Sequence, residues 1–220
     1  MKIKGATSMK SRDTDQLHAL RQQWLAESGQ WGASEDARLQ AFNRLLASYT
    51  AANRHYHSIG HIQHMLGLAA KMQAAIENQQ AFYFAIWFHD VVQLPGKDSE
   101  GLSAKRAHKE LTALELPVAL ISRVGELILA TKHHEASKED DAALFLDIDL
   151  SILAASRSQY RAYANGCRKE YSIPNFVYRH GRKKFLRSLM RRASIFNTQL
   201  FQASKEKIAR GNIEWELMEL

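Results

Sequence analysis

The chain has 220 residues, a formal net charge of +7 and 45% hydrophobic residues, which is typical of a globular protein with a buried core. Three prolines and eleven glycines argue against a turn-rich all-β protein, and a single cysteine excludes an intramolecular disulfide. Residues 1–11 lack a secretory signal, and no apolar run is long enough to span a membrane. We therefore expect a cytoplasmic protein without a membrane partner.

Helical periodicity begins after the N-terminus, and we expect residues 1–12 to be a flexible segment. Residues 13–27 repeat apolar side chains at helical spacing and are followed by glycines, which predicts a first helix. Ser34 has the character of an N-cap, with acidic residues directly after it, and begins a second helix that reaches about Ala52. A third helix is predicted to begin near Ser58, within a stretch that holds four histidines.

Residues 81–94 are apolar almost all round and predict a central helix that Pro95 and Gly96 stop. The doublet His89–Asp90 interrupts this apolar run. Two ionisable side chains are costly to bury unless something satisfies them. A divalent metal would do so, since imidazole and carboxylate are common ligands; helix capping and backbone hydrogen bonds are the alternative.

The rest of the chain continues the helical pattern. Asp98 or Ser99 caps the next predicted helix, and Pro117 begins one that reaches about Thr131. Residues 144–153 again place two carboxylates, Asp147 and Asp149, inside an apolar segment. Further helices are predicted at residues 156–171, 176–190 and 194–208. With no confident strand, repeat or domain boundary, the fold class is predicted to be all-α, with residues 13–220 forming one domain.

Three of these helices carry polar residues that a helical bundle can bring together in its core, as metal sites in bundles are built. The ordered set is His61, the doublet His89–Asp90, and Asp149, and it resembles the HD-domain metal-dependent phosphohydrolases. The stretches Arg-His-Tyr-His, Ile-Trp-Phe-His-Asp and Phe-Leu-Asp-Ile-Asp-Leu are similar to those of a predicted bacterial branch of that superfamily. The resemblance extends from about Trp24 to the end of the chain.

This resemblance implies an HD-domain-like helical bundle in which His61, His89, Asp90 and Asp149 bind a divalent ion. The sequence does not distinguish among Mn, Mg, Fe, Zn, Co and Ni. Asp149 is preferred to Asp147 because a helix continues directly after the last aspartate in the family, but Asp147 stays open as a ligand or acid/base neighbour. The implied reaction is hydrolysis of a phosphoester in a small phosphorylated molecule, such as a nucleotide, by a metal-activated water.

The resemblance also implies roles for histidines outside this set. Extra histidines between the doublet and the last aspartate hold a second metal or contact phosphate in some members, so His133 or His134 could do either. We include His134 with Asp90 and Asp149 among the catalytic candidates. His57 is a weaker candidate for the second metal or phosphate, and His64 for a metal contact; packing is the alternative for both. Exposure at a helix end is the alternative for the His133–His134 pair.

Phosphate groups require cations, and Lys105, Arg106 and Arg54 are the candidates close to the histidine motifs. A solvated surface charge is the alternative for each of them. Residues 168–192 hold nine Lys or Arg against one acid and account for the excess charge. This basic segment, predicted to form a C-terminal helical extension, supports a second hypothesis: a nucleotide- or nucleic-acid-binding module.

Its interspersed apolar residues favour the polar face of a packed helix instead, so a nucleic-acid partner is the less favoured hypothesis. A third hypothesis is an HD-type scaffold that binds metal without catalysis. Assembly as a homodimer stays open.

Overall fold

The computed structural model describes residues 5–94, 97–136 and 140–220, with side chains from residue 14 onward. Within these ranges the secondary structure is entirely helical, so the predicted all-α class is confirmed. The α-helices in chain order are α1 (Gly5–Glu27), α2 (Glu35–Tyr49), α3 (Ile59–Lys71), α4 (Gln79–Phe88), α5 (Ser99–Ala113), α6 (Val118–Ala130), α7 (Asp141–Asp149), α8 (Arg157–Lys169), α9 (Asn175–Met190) and α10 (Gln199–Glu219). No helix in the described ranges has the length and apolar character needed to cross a membrane.

Helix α4 lies at the centre of the fold. All eight of its side chains from Ala81 to Phe88 are buried, as the all-round apolar pattern predicts. The helix contacts α3, α5 and α6, and one continuous hydrophobic cluster joins residues from α1 to α10. The Trp24 ring of α1 packs edge-on against Trp87, with ring centroids 5.7 Å apart. The doublet that follows α4 is therefore held at the end of the most deeply buried helix.

Local capping residues set the starts of several helices where the sequence predicts them. The Ser34 side chain accepts a hydrogen bond from the backbone N–H of Ala37, and α2 begins at the next residue. Asp98 caps α5 in the same way through the backbone N–H of Gly101. Both signals act within three residues of the cap, which explains why sequence alone locates them.

The prediction that the central helix extends to Leu94 is wrong, because α4 ends at Phe88. Side chains that are distant along the chain form hydrogen bonds with backbone groups that would otherwise pair within a longer helix. Arg54 donates hydrogen bonds to the carbonyl oxygens of Asp90 and Val91, at 2.8 and 3.1 Å. The Ser103 hydroxyl accepts a hydrogen bond from the Val92 N–H at 3.1 Å. The doublet consequently lies at the end of the helix, where its side chains can turn toward neighbouring elements.

The two ends of the chain also differ from prediction. Helix α1 begins at Gly5 rather than Asp13, and residues 1–4 of the expected flexible segment lie outside the described residues. Helix α10 begins at Gln199 rather than Ser194 and reaches Glu219 rather than Ile208. Its start is delayed because the Glu206 carboxylate accepts hydrogen bonds from the backbone N–H groups of residues 195 and 196, holding them outside the helix.

Candidate metal centre

His89 is buried at the end of α4 with only 2% of its surface exposed. Its Nδ1 lies 2.9 Å from the carbonyl oxygen of Ile86, which makes Nδ1–H the donor and directs Nε2 away from the helix. A backbone carbonyl on one ring nitrogen is the usual arrangement behind a histidine that binds metal through the other. The Nε2 atom lies 3.1 Å from an Asp90 carboxylate oxygen, so the two residues of the doublet face one point.

His61 approaches the same point from the first turn of α3 and is 4% exposed. Its Nε2 lies 3.2 Å from the Nε2 of His89 and 3.8 Å from the Asp90 oxygen. The Nδ1 atom of His61 is buried and has no hydrogen-bond partner in the described structure. The polar contacts of this imidazole are therefore made by its Nε2 atom, which faces the same space as His89 and Asp90.

Asp149 completes the group from the last position of α7. One of its oxygens lies 3.2 Å from the Nε2 of His61 and 3.7 Å from the Nε2 of His89. The two histidine side chains are each 1% exposed, whereas the carboxylates of Asp90 and Asp149 are 27% and 14% exposed. We refer to these four residues as the His/Asp cluster. It has a buried imidazole floor and a carboxylate rim that solvent reaches.

The spacing of His61, His89 and Asp90 within this cluster fits a divalent ion. Ligand bonds of about 2.0–2.2 Å place neighbouring ligand atoms roughly 3 to 3.6 Å apart. Ligand atoms of His61, His89 and Asp90 all lie within 4.8 Å of one another, and Asp149 adds an oxygen against both imidazoles. Two imidazole nitrogens 3.2 Å apart cannot both carry a proton without repulsion. A cation between them would satisfy both lone pairs as well as the two carboxylates.

The charges of the cluster shift its own proton affinities. Burial lowers the pKa of His89, but the Asp90 charge and hydrogen bond outweigh burial and raise it to about 9. Burial favours neutral Asp149, yet its hydrogen bonds with His134 and His61 hold the carboxyl pKa well below its usual range. The Asp149 carboxylate is thus ionised at neutral pH, and the His89 imidazole holds a proton that a bound cation would displace.

Asp147, the alternative to Asp149, faces away from the cluster. It is fully buried, and its carboxylate accepts hydrogen bonds from the backbone N–H groups of Asn197 and Thr198 at 2.6 and 2.7 Å. The Thr198 hydroxyl donates a further bond at 2.7 Å, and the Asn197 amide one at 3.1 Å. Asp147 therefore fixes the turn that leads into α10, and the structure brings Asp149 rather than Asp147 to the cluster.

His134 lies beside the cluster, whereas His133 does not. The Nε2 of His134 is 3.1 Å from the second oxygen of Asp149. His134 has a left-handed backbone with φ of 53°, which is uncommon for a residue other than glycine. Arg192 stabilises this turn by donating to the carbonyl oxygens of His133 and His134, at 2.6 and 2.7 Å. The His133 side chain is exposed.

His57 reaches the rim of the cluster and is held there by Glu170, a residue that sequence analysis did not single out. One Glu170 oxygen accepts hydrogen bonds from three successive backbone N–H groups, those of residues 55–57. The other lies 2.6 Å from His57 Nδ1 and also accepts from Gln93. This arrangement turns the Nε2 of His57 toward Asp90, 3.9 Å away. Only the isolated acid in a basic segment marked Glu170 in the sequence.

We expect the Glu170 contacts to contribute stability that depends on pH. Burial opposes ionisation of this carboxyl, but the His57 and backbone hydrogen bonds lower its pKa from 4.5 to about 2. A depressed carboxyl pKa stabilises the fold above pH 4.5, and that contribution is lost as the pH falls toward 2. Glu170→Gln should therefore lower the free energy of unfolding by about 3 kcal/mol at pH 7.

Urea unfolding of both proteins at several pH values checks this prediction. The difference between wild type and Glu170→Gln should shrink as the pH is lowered from 5, over the range in which both proteins still fold. Glu219→Gln, on an exposed carboxylate near the end of α10, is the matched control. A difference that stays constant with pH would contradict the assigned role of the ionised Glu170.

The predicted phosphate-binding cations differ in their surroundings. Arg54 donates to the backbone carbonyl oxygens of Asp90 and Val91, so it holds the segment that follows α4 in place. Arg106 pairs with Glu110 at 3.1 Å and donates to the Ser48 hydroxyl at 3.0 Å. Lys105 is exposed on α5. Neither Arg106 nor Lys105 makes a direct contact with the cluster in the described structure.

The basic segment of residues 168–192 is partly engaged inside the protein. Arg182 is 8% exposed, and its guanidinium forms two hydrogen bonds with the Glu216 carboxylate and one with the Tyr163 hydroxyl. Arg168 donates to backbone carbonyl oxygens of residues 171 and 173. Together with Arg192, these side chains act in packing and turn formation, which agrees with the packed-helix interpretation. The exposed cations of α9 remain available to solvent.

Comparison of this chain with protein-family models, with curated proteins and with solved structures found no match.

Proposed function

We propose that the chain is a metal-dependent phosphohydrolase built on an HD-domain-like helical bundle. The observation that carries the proposal is the convergence of four side chains from three separate elements. Asp90 and Asp149 each place a carboxylate oxygen 3.1–3.8 Å from the Nε2 atoms of both His61 and His89. Two nitrogens and two carboxylates leave coordination positions of a divalent ion free for water and substrate.

A divalent ion bound there supplies a Lewis acid that activates water and polarises a phosphoryl oxygen. The protein's own residues orient this chemistry. Ile86 and its carbonyl hold the His89 ring, and the buried α4 holds the doublet against α3. The carboxylates of Asp90 and Asp149 are the part of the cluster most open to solvent, since the side chains of His61 and His89 are each 1% exposed.

Two further histidines are placed to handle protons or phosphate oxygens at this rim. His134 contacts Asp149, and His57 is directed toward Asp90 by its bond to Glu170. A histidine at hydrogen-bonding distance from the reacting group can donate a proton to the departing alcohol oxygen. We assign His57 and His134 to these supporting positions, and a small phosphorylated molecule such as a nucleotide to the substrate.

The test is a hydrolysis assay on purified protein with a panel of phosphomonoesters and nucleotides. We expect phosphate release that requires added Mn²⁺, Zn²⁺, Co²⁺, Ni²⁺, Fe²⁺ or Mg²⁺ and stops with a chelator. Asp90→Ala should reduce turnover by about 1,000-fold or more, since the variant lacks a ligand of the activating ion. Asp36→Ala, which removes an exposed carboxylate of α2, should retain full activity.

Three results would contradict the proposal in different ways. Turnover that persists in Asp90→Ala or without metal would place the chemistry outside the His/Asp cluster. Stoichiometric metal binding with no hydrolysis across the panel would instead support the metal-binding scaffold. Tight binding of nucleic acid at physiological salt, unaffected by Asp90→Ala, would favour the hypothesis based on the basic segment.

A further inference from the structure

A cavity of about 520 Å³ adjoins the His/Asp cluster and shares His61 with it. The cavity is lined by residues from elements that carry the cluster or directly follow it in the chain. Helix α3 contributes His64 and Leu68, located after His61 in the chain. The short 3-10 helix Leu150–Ala154, which directly follows Asp149, contributes Ser151 and Ile152. The volume lies in the range of small-molecule sites, and the shared residue places the cavity beside the proposed reaction centre.

The lining of this cavity is complementary to an organic anion. No acidic residue is among the described residues that line it, whereas Lys205 of α10 contributes an ammonium group. Lys205 packs its nitrogen 5.6 Å from the centre of the Phe201 ring and forms no ion pair among the described residues. The remaining wall combines hydroxyl and imidazole groups, such as Ser58 and His64, with small and aliphatic side chains. Such a surface suits a short apolar body that ends in a negative charge.

We infer that this cavity binds the non-reacting part of the substrate and selects molecules that carry a second anionic group. The phosphoryl group then lies at the His/Asp cluster, and a carboxylate or second phosphate at the far end pairs with Lys205. The inference rests on the proposed function for the position of the phosphoryl group. It adds the substrate class: a small phosphomonoester with a second acidic group, connected by a short carbon chain.

Binding of non-hydrolysable probes tests this directly. The metal-loaded protein is titrated calorimetrically with ω-carboxyalkyl phosphonates of increasing length and with alkyl phosphonates of matching lengths. At the best-fitting length we expect the carboxylate to lower the Kd by about tenfold, the effect of one charge-assisted hydrogen bond. Lys205→Met, which keeps the apolar stem, should abolish this advantage, and Lys205→Arg should retain it.

Lys207→Met is the matched control, because Lys207 is exposed on the same helix and does not line the cavity. It should keep the full carboxylate advantage. Equal Kd values for the two probe series in wild type, an advantage that survives in Lys205→Met, or no binding of either series would each overturn the inference.

The two proposals can fail separately. Carboxylate-dependent binding that requires Lys205, in a protein without phosphoester hydrolysis, would overturn the proposed function alone. Metal-dependent hydrolysis of simple alkyl phosphates, without any preference for a second anionic group, would overturn this inference alone.

Discussion

His89→Ala is expected to lose stoichiometric binding of a divalent ion, with an affinity decrease well beyond the roughly 100-fold seen when only a supporting contact is removed. The reason is that His89 contributes one of two buried nitrogens, and its position is fixed by the Ile86 carbonyl. The remaining ligands, the His61 imidazole and two partly exposed carboxylates, are expected to bind a cation much more weakly. Calorimetric titration with Zn²⁺ and Mn²⁺, combined with elemental analysis after dialysis, measures the effect.

His108→Ala provides the control, since His108 is exposed on α5 and should bind as wild type does. Far-UV circular dichroism verifies that both variants keep their helices. Unchanged metal stoichiometry in His89→Ala would show that the ion, if one binds, is held elsewhere in the chain.

Asp147→Ala is expected to destabilise the fold by about 3 to 5 kcal/mol, as when one partner of a buried charged network is removed. The variant leaves two backbone N–H groups and the Thr198 hydroxyl without their acceptor in a buried turn. The pKa of the Asp147 carboxyl is raised, because the effect of burial outweighs that of its four hydrogen-bond donors. Urea unfolding with and without the substitution gives the difference in free energy.

The same variant separates the two aspartates of α7. Asp147→Ala should still bind one metal ion under conditions in which it is folded, because Asp147 does not face the cluster. Asp15→Ala, on an exposed carboxylate of α1, should change stability by less than about 0.5 kcal/mol. A loss of metal binding in folded Asp147→Ala, with little change in stability, would reverse the roles assigned to Asp147 and Asp149.

Helix starts could be predicted because their signals are local. Ser34 and Asp98 cap their own helices through N–H groups three residues away. The end of α4 could not be predicted, because it depends on Arg54 and Ser103, which lie far from Val91 and Val92 along the chain. The apolar pattern continues past Phe88 and gives no sign that distant side chains capture the backbone there.

Part of the candidate site could likewise be predicted from the sequence, and part could not. Asp147 and Asp149 are two positions apart in the chain, so a helix must point them to different sides, about 200° apart. The sequence therefore predicts different surroundings for the two carboxylates but not which one meets His61, because that depends on how α7 packs. Glu170 was missed for a related reason: its carboxylate accepts hydrogen bonds from the backbone N–H groups of residues 55–57, which carry no sequence signature.

Anomalous diffraction from crystals of the metal-loaded protein tests the central claim most directly. We predict a peak about 2.0–2.2 Å from the Nε2 atoms of His61 and His89 and from carboxylate oxygens of Asp90 and Asp149. A peak at another position, or metal-loaded crystals in which these four side chains have no peak between them, would contradict the account.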